Sequence, residues 1–273
     1  MNTASNLDSF TVRLARQPAV LVTVEATQGS VPREAGAWMA VFAQHVVGTI
    51  GGGHLEFTAI GQARRWLHGD AGEPVRRYAL GPGLGQCCGG VVHLRFEPVS
   101  AADAARLQQR LAPRLSPVAL FGGGHVGRAI VAALAPLPFE LTWIDSRDEI
   151  FPGTTPANVR CEHSDPVQAA VNELAAGVSV LVMSFSHAED LDVVAAGLAR
   201  QRQRGDLAFI GLIGSRAKWA TFRHRLAERG FTEAELAQVT CPIGLPGIPG
   251  KEPAVIAASV AAQLLQRRHM PAP

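Results

Sequence analysis

Two adjacent cysteines, Cys87 and Cys88, sit in the stretch GPGLGQCCGG (81–90), where five of ten residues are glycine. A thiolate is a soft metal ligand and a sulfur nucleophile, and it forms where a helix N-terminus or a nearby cation lowers its pKa. A glycine loop of backbone N–H groups is a nest that favours an anion. The pair therefore reads as a ligand for a soft metal or as a sulfur-handling nucleophile. The isolated Cys161 and Cys241 read as small buried hydrophobes. Two more glycine-rich segments precede this loop, GSVPREAGAW (29–38) and GTIGGGHLE (48–56). Arg33 is a fork donor suited to phosphate or carboxylate. Gly51, Gly52 and Gly53 stand before a predicted helix, an anion-binding geometry, and His54 and Glu56 open that helix. Glu56 in the first turn also favours the helix dipole.

A second constellation lies further on. FGGGHVGRAI (121–130) carries G-x-G-x-x-G at Gly122, Gly124 and Gly127, with His125 inside the turn. The motif follows a predicted strand and opens a predicted helix, the context it requires to hold a phosphate. Gly122 permits the tight turn, Gly124 lets backbone approach a pyrophosphate, and Gly127 lets the helix pack close to the sheet. Asp145 ends the next strand, 18 residues beyond Gly127, near the place of an acid that takes a ribose hydroxyl. The phosphate held here belongs to a nucleotide or a pterin. In SFSHAEDLD (184–192), His187, Asp190 and Asp192 are acid–base or metal candidates, but the spacing favours helix capping by Ser186 or Asp190. In GLIGSRAKW (211–219), Ser215 is a predicted N-cap, and Arg216 and Lys218 stand where an anion would sit.

The elements that carry these residues fall into two halves. The first holds predicted strands at 19–26, 38–42, 45–50 and 91–98 and a helix at 54–69, an α+β pattern. Ser100 is a predicted N-cap, and residues 100–116 read as a helix start followed by a proline-punctuated connector. The second half alternates. Strands at 118–121, 139–145, 178–184 and 207–214 are interleaved with helices at 126–135, 167–176, 190–201, 217–230 and 252–268. That alternation is the pattern of a doubly wound parallel sheet.

The bulk composition narrows the function. A chain of 273 residues is long enough for about two domains. Apolar residues at 47% support packed cores. A net charge of +2 with 18% charged residues excludes a nucleic-acid binder as the leading class. No apolar run reaches the roughly 20 residues of a membrane span, and the N-terminus lacks a signal-peptide pattern, so a soluble cytoplasmic protein is expected. Four cysteines with no C-x-x-C spacing fit neither a disulfide scaffold nor a structural zinc site.

Six segments taken in order, TVEATQGSVPREAGAWMAV, GTIGGGHLE, GLGQCCGG, LFGGGHVGRAI, FIGLIGSRAKW and CPIGLPGIPGKEPAVIAASVAAQLL, resemble the XdhC/CoxI family over nearly the whole chain. The resemblance implies a small N-terminal α+β domain (1–99), a linker (100–116) and a C-terminal Rossmann-like domain (117–273). It implies an accessory role rather than metabolic turnover. Such a protein binds the molybdenum cofactor, a molybdopterin with a terminal phosphate. It promotes exchange of an oxo for a sulfido ligand with a cysteine desulfurase, and passes the cofactor to apo xanthine dehydrogenase. Cys88 matches the family's cysteine before the glycine pair, and Cys87 is additional. A homodimer is expected on the same ground. The competing functions are an NAD(P)-dependent oxidoreductase and a nucleotide-sensing module, both using the Rossmann turn.

Overall fold

The structure is a computed structural model, and it describes residues 3–81 and 89–268. The chain divides into two compact units, Met1–Pro113 and Arg114–Pro273.

In the first unit, β1 (Ala19–Gln28) is apolar at successive positions because it is buried on both faces. It is flanked by β2 (Trp38–Val41), β3 (Val46–Gly48), β4 (Val75–Ala79) and β5 (Val91–Val99) in an antiparallel sheet of order β3-β2-β1-β5-β4. Alternation along β1 separates two cores. Val20, Val22 and Val24 face α2 (Gly53–Leu67), which contributes Leu55, Ala59 and Ala63. Ala19 and Leu21 face the other way, with Leu7, Phe10 and Leu14 of α1 (Thr3–Leu14) and Leu107 and Leu111 of α3 (Ala104–Leu111). A bulge between Val24 and Ala26 shifts the β1–β5 register, and Glu25 there meets Arg95.

The expected boundary at residue 99 is corrected. The segment 100–113 belongs to this unit, because α3 buries Leu107 and Leu111 in its second core and is not a free connector. Ser100 does head the turn before α3, donating its N–H to Asp103 at 2.9 Å.

The second unit is a six-stranded parallel sheet, β11-β10-β9-β6-β7-β8. Its strands are β6 (Ser116–Phe121), β7 (Phe139–Asp145), β8 (Val159–His163), β9 (Ser179–Val182), β10 (Phe209–Leu212) and β11 (Val239–Thr240). Helices α4 (His125–Leu134) and α8 (Pro253–Arg268) cover one face. The other face carries α5 (His187–Arg204), α6 (Arg216–Glu228) and α7 (Glu233–Leu236). A parallel sheet covered on both faces has strands that read as unbroken apolar runs, as VALF (118–121) and VLV (180–182) do here. The strand order reverses between β6 and β9, the switch point where folds of this class bind ligands. The helix expected over 167–176 is a 3-10 helix, Val167–Glu173, and carbonyls at Val171 and Ala175 accept from Arg200. No described helix is long and apolar enough to cross a membrane.

Candidate functional site

In the second unit, the expected residues gather at the carboxyl edge of the parallel sheet. Gly122 has φ of 126°, and a Cβ there would lie 1.9 Å from the Met183 carbonyl oxygen. A Cβ on Gly127 would lie 2.0 Å from the Gly122 oxygen, so the close helix–strand approach requires glycine at both positions. Gly124 is different: no atom lies within 4 Å of a Cβ built there, and both Gly124 and His125 are exposed at the start of α4. The open side of the turn thus carries the free N–H groups of a helix N-terminus.

Asp145 stands at the end of β7, as expected, but its acceptors are filled from within the protein. Oδ1 accepts from the Arg147 N–H at 3.0 Å and Nε at 2.8 Å; Oδ2 accepts from the Gly123 N–H at 2.6 Å and an Arg147 Nη at 3.0 Å. Four bonds saturate the four lone-pair positions of a carboxylate. Burial alone would raise its pKa; the Arg147 guanidinium and the two backbone N–H groups outweigh it and hold the carboxyl below its ordinary range. The expected role of Asp145 toward a ribose hydroxyl therefore competes with a complete protein-internal bond set.

The same loops bridge the switch point. Arg147 stacks over Phe185, 4.2 Å from the ring centroid, and Ser146 donates to Glu189 at 2.9 Å. These contacts join the segment after β7 to the segment after β9, with β6 between them.

Capping accounts for part of SFSHAEDLD. Ser186 is the N-cap of α5 and accepts from the Glu189 N–H. His187 opens α5 with its ring in a T-shaped contact with Phe222, and Asp192 pairs with Arg229 at 2.8 Å. Asp190 is not the cap: it lies one turn inside α5, whose N-cap is Ser186. It is buried, accepts the Ser184 N–H at 2.7 Å and receives Lys218 Nζ at 2.6 Å. Lys218 is therefore spent on Asp190 and is not open to an anion. Ser215 caps α6 as expected, accepting from the Lys218 N–H, and leaves Arg216 exposed beside it.

In the first unit, the glycine-rich segments converge. A Cβ on Gly51 would lie 2.5 Å from Pro32 Cβ and 3.2 Å from Arg33 Cγ, so 48–53 rests on 29–38. A Cβ on Gly90 would lie 2.4 Å from the Ser30 carbonyl oxygen. Leu80 donates its N–H to the Gly90 carbonyl at 2.8 Å and closes the stem of the 81–90 loop. Cys87 and Cys88 lie outside the described residues. The N–H groups of the Gly51–Gly53 run are not all free, which corrects that expectation. Glu56 folds back so that one oxygen accepts from the Ile50 and Gly52 N–H groups, both at 3.0 Å, and from the Thr49 hydroxyl at 2.5 Å. Gly51 donates to Thr49 Oγ1. The anion held by Gly52 is the chain's own carboxylate. Beside this arrangement a cavity of about 580 Å³ is lined by Arg33, Trp38, Thr49 and Arg110 among others. Arg33 is exposed and has no ion-pair partner among the described residues, whereas Arg110 is held by Glu97.

Sequence reasoning missed Arg147, which sits only two residues from Asp145, and Lys251 in the loop after β11. The charge of each next to a strand end or a glycine was the available signal. Cys161 and Cys241 are part-buried, and burial pushes the Cys241 thiol up to about 11. Both are only half-buried, short of the small buried hydrophobes expected from the sequence.

A parallel six-stranded sheet with a glycine turn at its switch point, preceded by an antiparallel α+β unit, defines a two-unit protein built on a Rossmann domain. Residues 118–264 match the XdhC Rossmann domain, and residues 12–79 match the XdhC and CoxI family. The chain belongs to the XdhC and CoxI family. It is 28% identical over 255 residues to the uncharacterized protein YqeB of Escherichia coli (strain K12), covering 91% of this chain and 43% of YqeB. The chain thus spans less than half the length of that curated relative. Its fold matches a crystal structure from Bacillus halodurans, described as a xanthine dehydrogenase, with a TM-score of 0.80 at 19% identity. That match covers 98% of this chain and 96% of the other. A Rossmann-fold NAD(P)-binding family protein from Shigella flexneri matches 57% of this chain and 89% of its own, at 19% identity and a TM-score of 0.40.

Proposed function

We propose that the protein is an accessory factor that binds the molybdenum cofactor, assists its sulfuration with a cysteine desulfurase and delivers it to apo xanthine dehydrogenase. The observation that carries this reading is the convergence of 29–38 and 48–53 at the stem of the cysteine loop, beside a cavity lined by Arg33, which has no ion-pair partner among the described residues. The residues present fit such a group. A cavity of about 580 Å³ lies in the range that holds small ligands, and a fork donor on its wall suits a terminal phosphate. Among the described residues no three His, Cys, Asp or Glu side chains cluster as a metal site. When bound, the cofactor supplies the molybdenum centre on which the target enzyme depends. This chain's part is to hold the phosphate with Arg33 and to present a thiol from Cys88, with Cys87 beside it. Family membership supports the accessory role. Asp145, with its acceptors filled, weighs against a dinucleotide oxidoreductase. A cytoplasmic homodimer is part of the same proposal.

The test is retention of released molybdenum cofactor by full-length protein after gel filtration, with pterin and molybdenum counted per chain. The wild type is expected to retain about one equivalent. Cys88→Ala is expected to lose most of the molybdenum, and Arg33→Ala to weaken retention tenfold or more. Equal retention by all three proteins would remove the thiol and Arg33 from the site. No retention by the wild type would overturn the proposal.

A further inference from the structure

We propose that the Rossmann unit carries a separate binding site for an organic phosphate monoester, in the cavity at the carboxyl ends of β10 and β11. This proposal does not rest on the molybdenum-cofactor reading of the first unit. The cavity has a volume of about 590 Å³, again within the range of small-ligand sites. It lies beyond β9 on the sheet edge, away from the glycine turn after β6.

Its charge is one-sided. Arg216 and Lys251 line it, both are exposed, and neither side chain has a hydrogen-bond or ion-pair partner among the described residues. Among the described residues no acidic side chain lines the cavity. Glu252, next in sequence, folds its carboxylate onto the Lys251 N–H at 3.0 Å rather than toward the Lys251 ammonium. Cys241 on the wall is a neutral thiol, because burial raises its pKa, and does not offset the two cations. A guanidinium fork and an ammonium lining one cavity suit a phosphate dianion. The start of α6, whose first N–H groups have no intrahelical acceptor, adds to the same field at Arg216.

The remaining wall is apolar. Ile213, Ile243, Leu245, Ile248 and Val255 line it, and Ile248 is 45% exposed, unusual for a large aliphatic side chain in this protein. Such a wall fits an apolar body attached to the phosphate better than a bare inorganic ion. The loop that supplies these groups is pinned in place. Ile243 donates to the Leu212 carbonyl, Gly244 to Gln263 Oε1 at 2.9 Å, and Leu245 to Ser259 Oγ at 2.7 Å. Gly244 and Gly250 hold φ of 100° and 121°, which lets the chain turn tightly around the cavity. A site held rigid before binding loses less on ordering.

The experiment is isothermal titration of the full-length protein with phenyl phosphate, inorganic phosphate and phenol. Phenyl phosphate is expected to bind at least tenfold more tightly than either of the others. Arg216→Glu and Lys251→Glu are each expected to weaken it tenfold or more, with Arg216→Ala and Lys251→Ala as milder variants and circular dichroism as the check on folding. Gly124→Val, at the glycine turn, is expected to leave it within twofold. Affinity unchanged in the charge variants, affinity lost only in Gly124→Val, or no binding by the wild type would each overturn the proposal. Inorganic phosphate binding as tightly as phenyl phosphate would overturn the organic part, and phenol doing so would overturn the phosphate part. Cofactor retention by the Cys88 and Arg33 variants is read separately, so either proposal can fail alone.

Discussion

At the scale of single residues, Asp145 shows how a recognised position acquires a different occupation. Its carboxylate is 1% exposed, pairs with Arg147 and holds the Gly123 N–H of the glycine turn. Its folded-state pKa is lowered, so its stabilising contribution is present above the ordinary carboxylate value of about 3.9. That contribution is lost as pH falls through the lower folded-state value. Asp145→Asn is expected to cost about 1.5–3 kcal/mol at pH 7, the range for hydrogen bonds to a charged group. Urea unfolding of both proteins at pH 7 and near pH 2 checks this. The gap should narrow in acid; an equal gap at both pH values would assign Asp145 a packing role alone. Glu56 poses the same lesson in the first unit, since its carboxylate fills the turn that an external anion would otherwise enter.

At the scale of elements, the glycine turn separates structural from open positions. Gly127→Ala places a methyl 2.0 Å from the Gly122 oxygen, a backbone atom that cannot swing aside. It is expected to destabilise the Rossmann unit by about 1–3 kcal/mol or more, as overpacking does. Gly124→Ala meets nothing within 4 Å at a φ of −69° and is expected to cost under about 1 kcal/mol. Urea midpoints for the two variants decide it, and equal losses would refute the distinction. Most elements with apolar periodicity were legible in the sequence: β1 to β3, β5 to β7, β9, β10, α2, α4, α5, α6 and α8. The missed ones share a physical reason. VRRYA of β4 and VRCEH of β8 lie at sheet edges and mix charges into a short strand, and VRRYA also lacks alternation. β11 is two residues long, and α1 opens on polar residues. The site was legible as residue types but not as partnerships. No local spacing rule shows that Glu56 turns back on Thr49, or that Gly123 and Arg147 together fill Asp145.

At the scale of the whole molecule, the two units have separate hydrophobic cores. Among the described residues, each buried cluster draws its members from one unit only, α3 included in the first. Within each unit the clusters on the two faces share one sheet, whereas no cluster spans both units, so the units are expected to melt as two transitions. Scanning calorimetry should then give a calorimetric enthalpy above the van't Hoff value; equality of the two would mean the units unfold as one. The same experiment links the proposals to their places in the chain. A ligand that binds only the folded state stabilises the unit that holds it by about 2.7 kcal/mol at a hundredfold excess over its Kd. Molybdenum cofactor is therefore expected to raise the transition of the unit that holds Arg33, and phenyl phosphate that of the unit that holds Arg216 and Lys251. Arg33→Ala and Lys251→Glu assign the transitions, because each should abolish the shift in its own unit and leave the other in place. A shift of both transitions by phenyl phosphate, surviving Lys251→Glu, would place that phosphate outside the β10–β11 cavity.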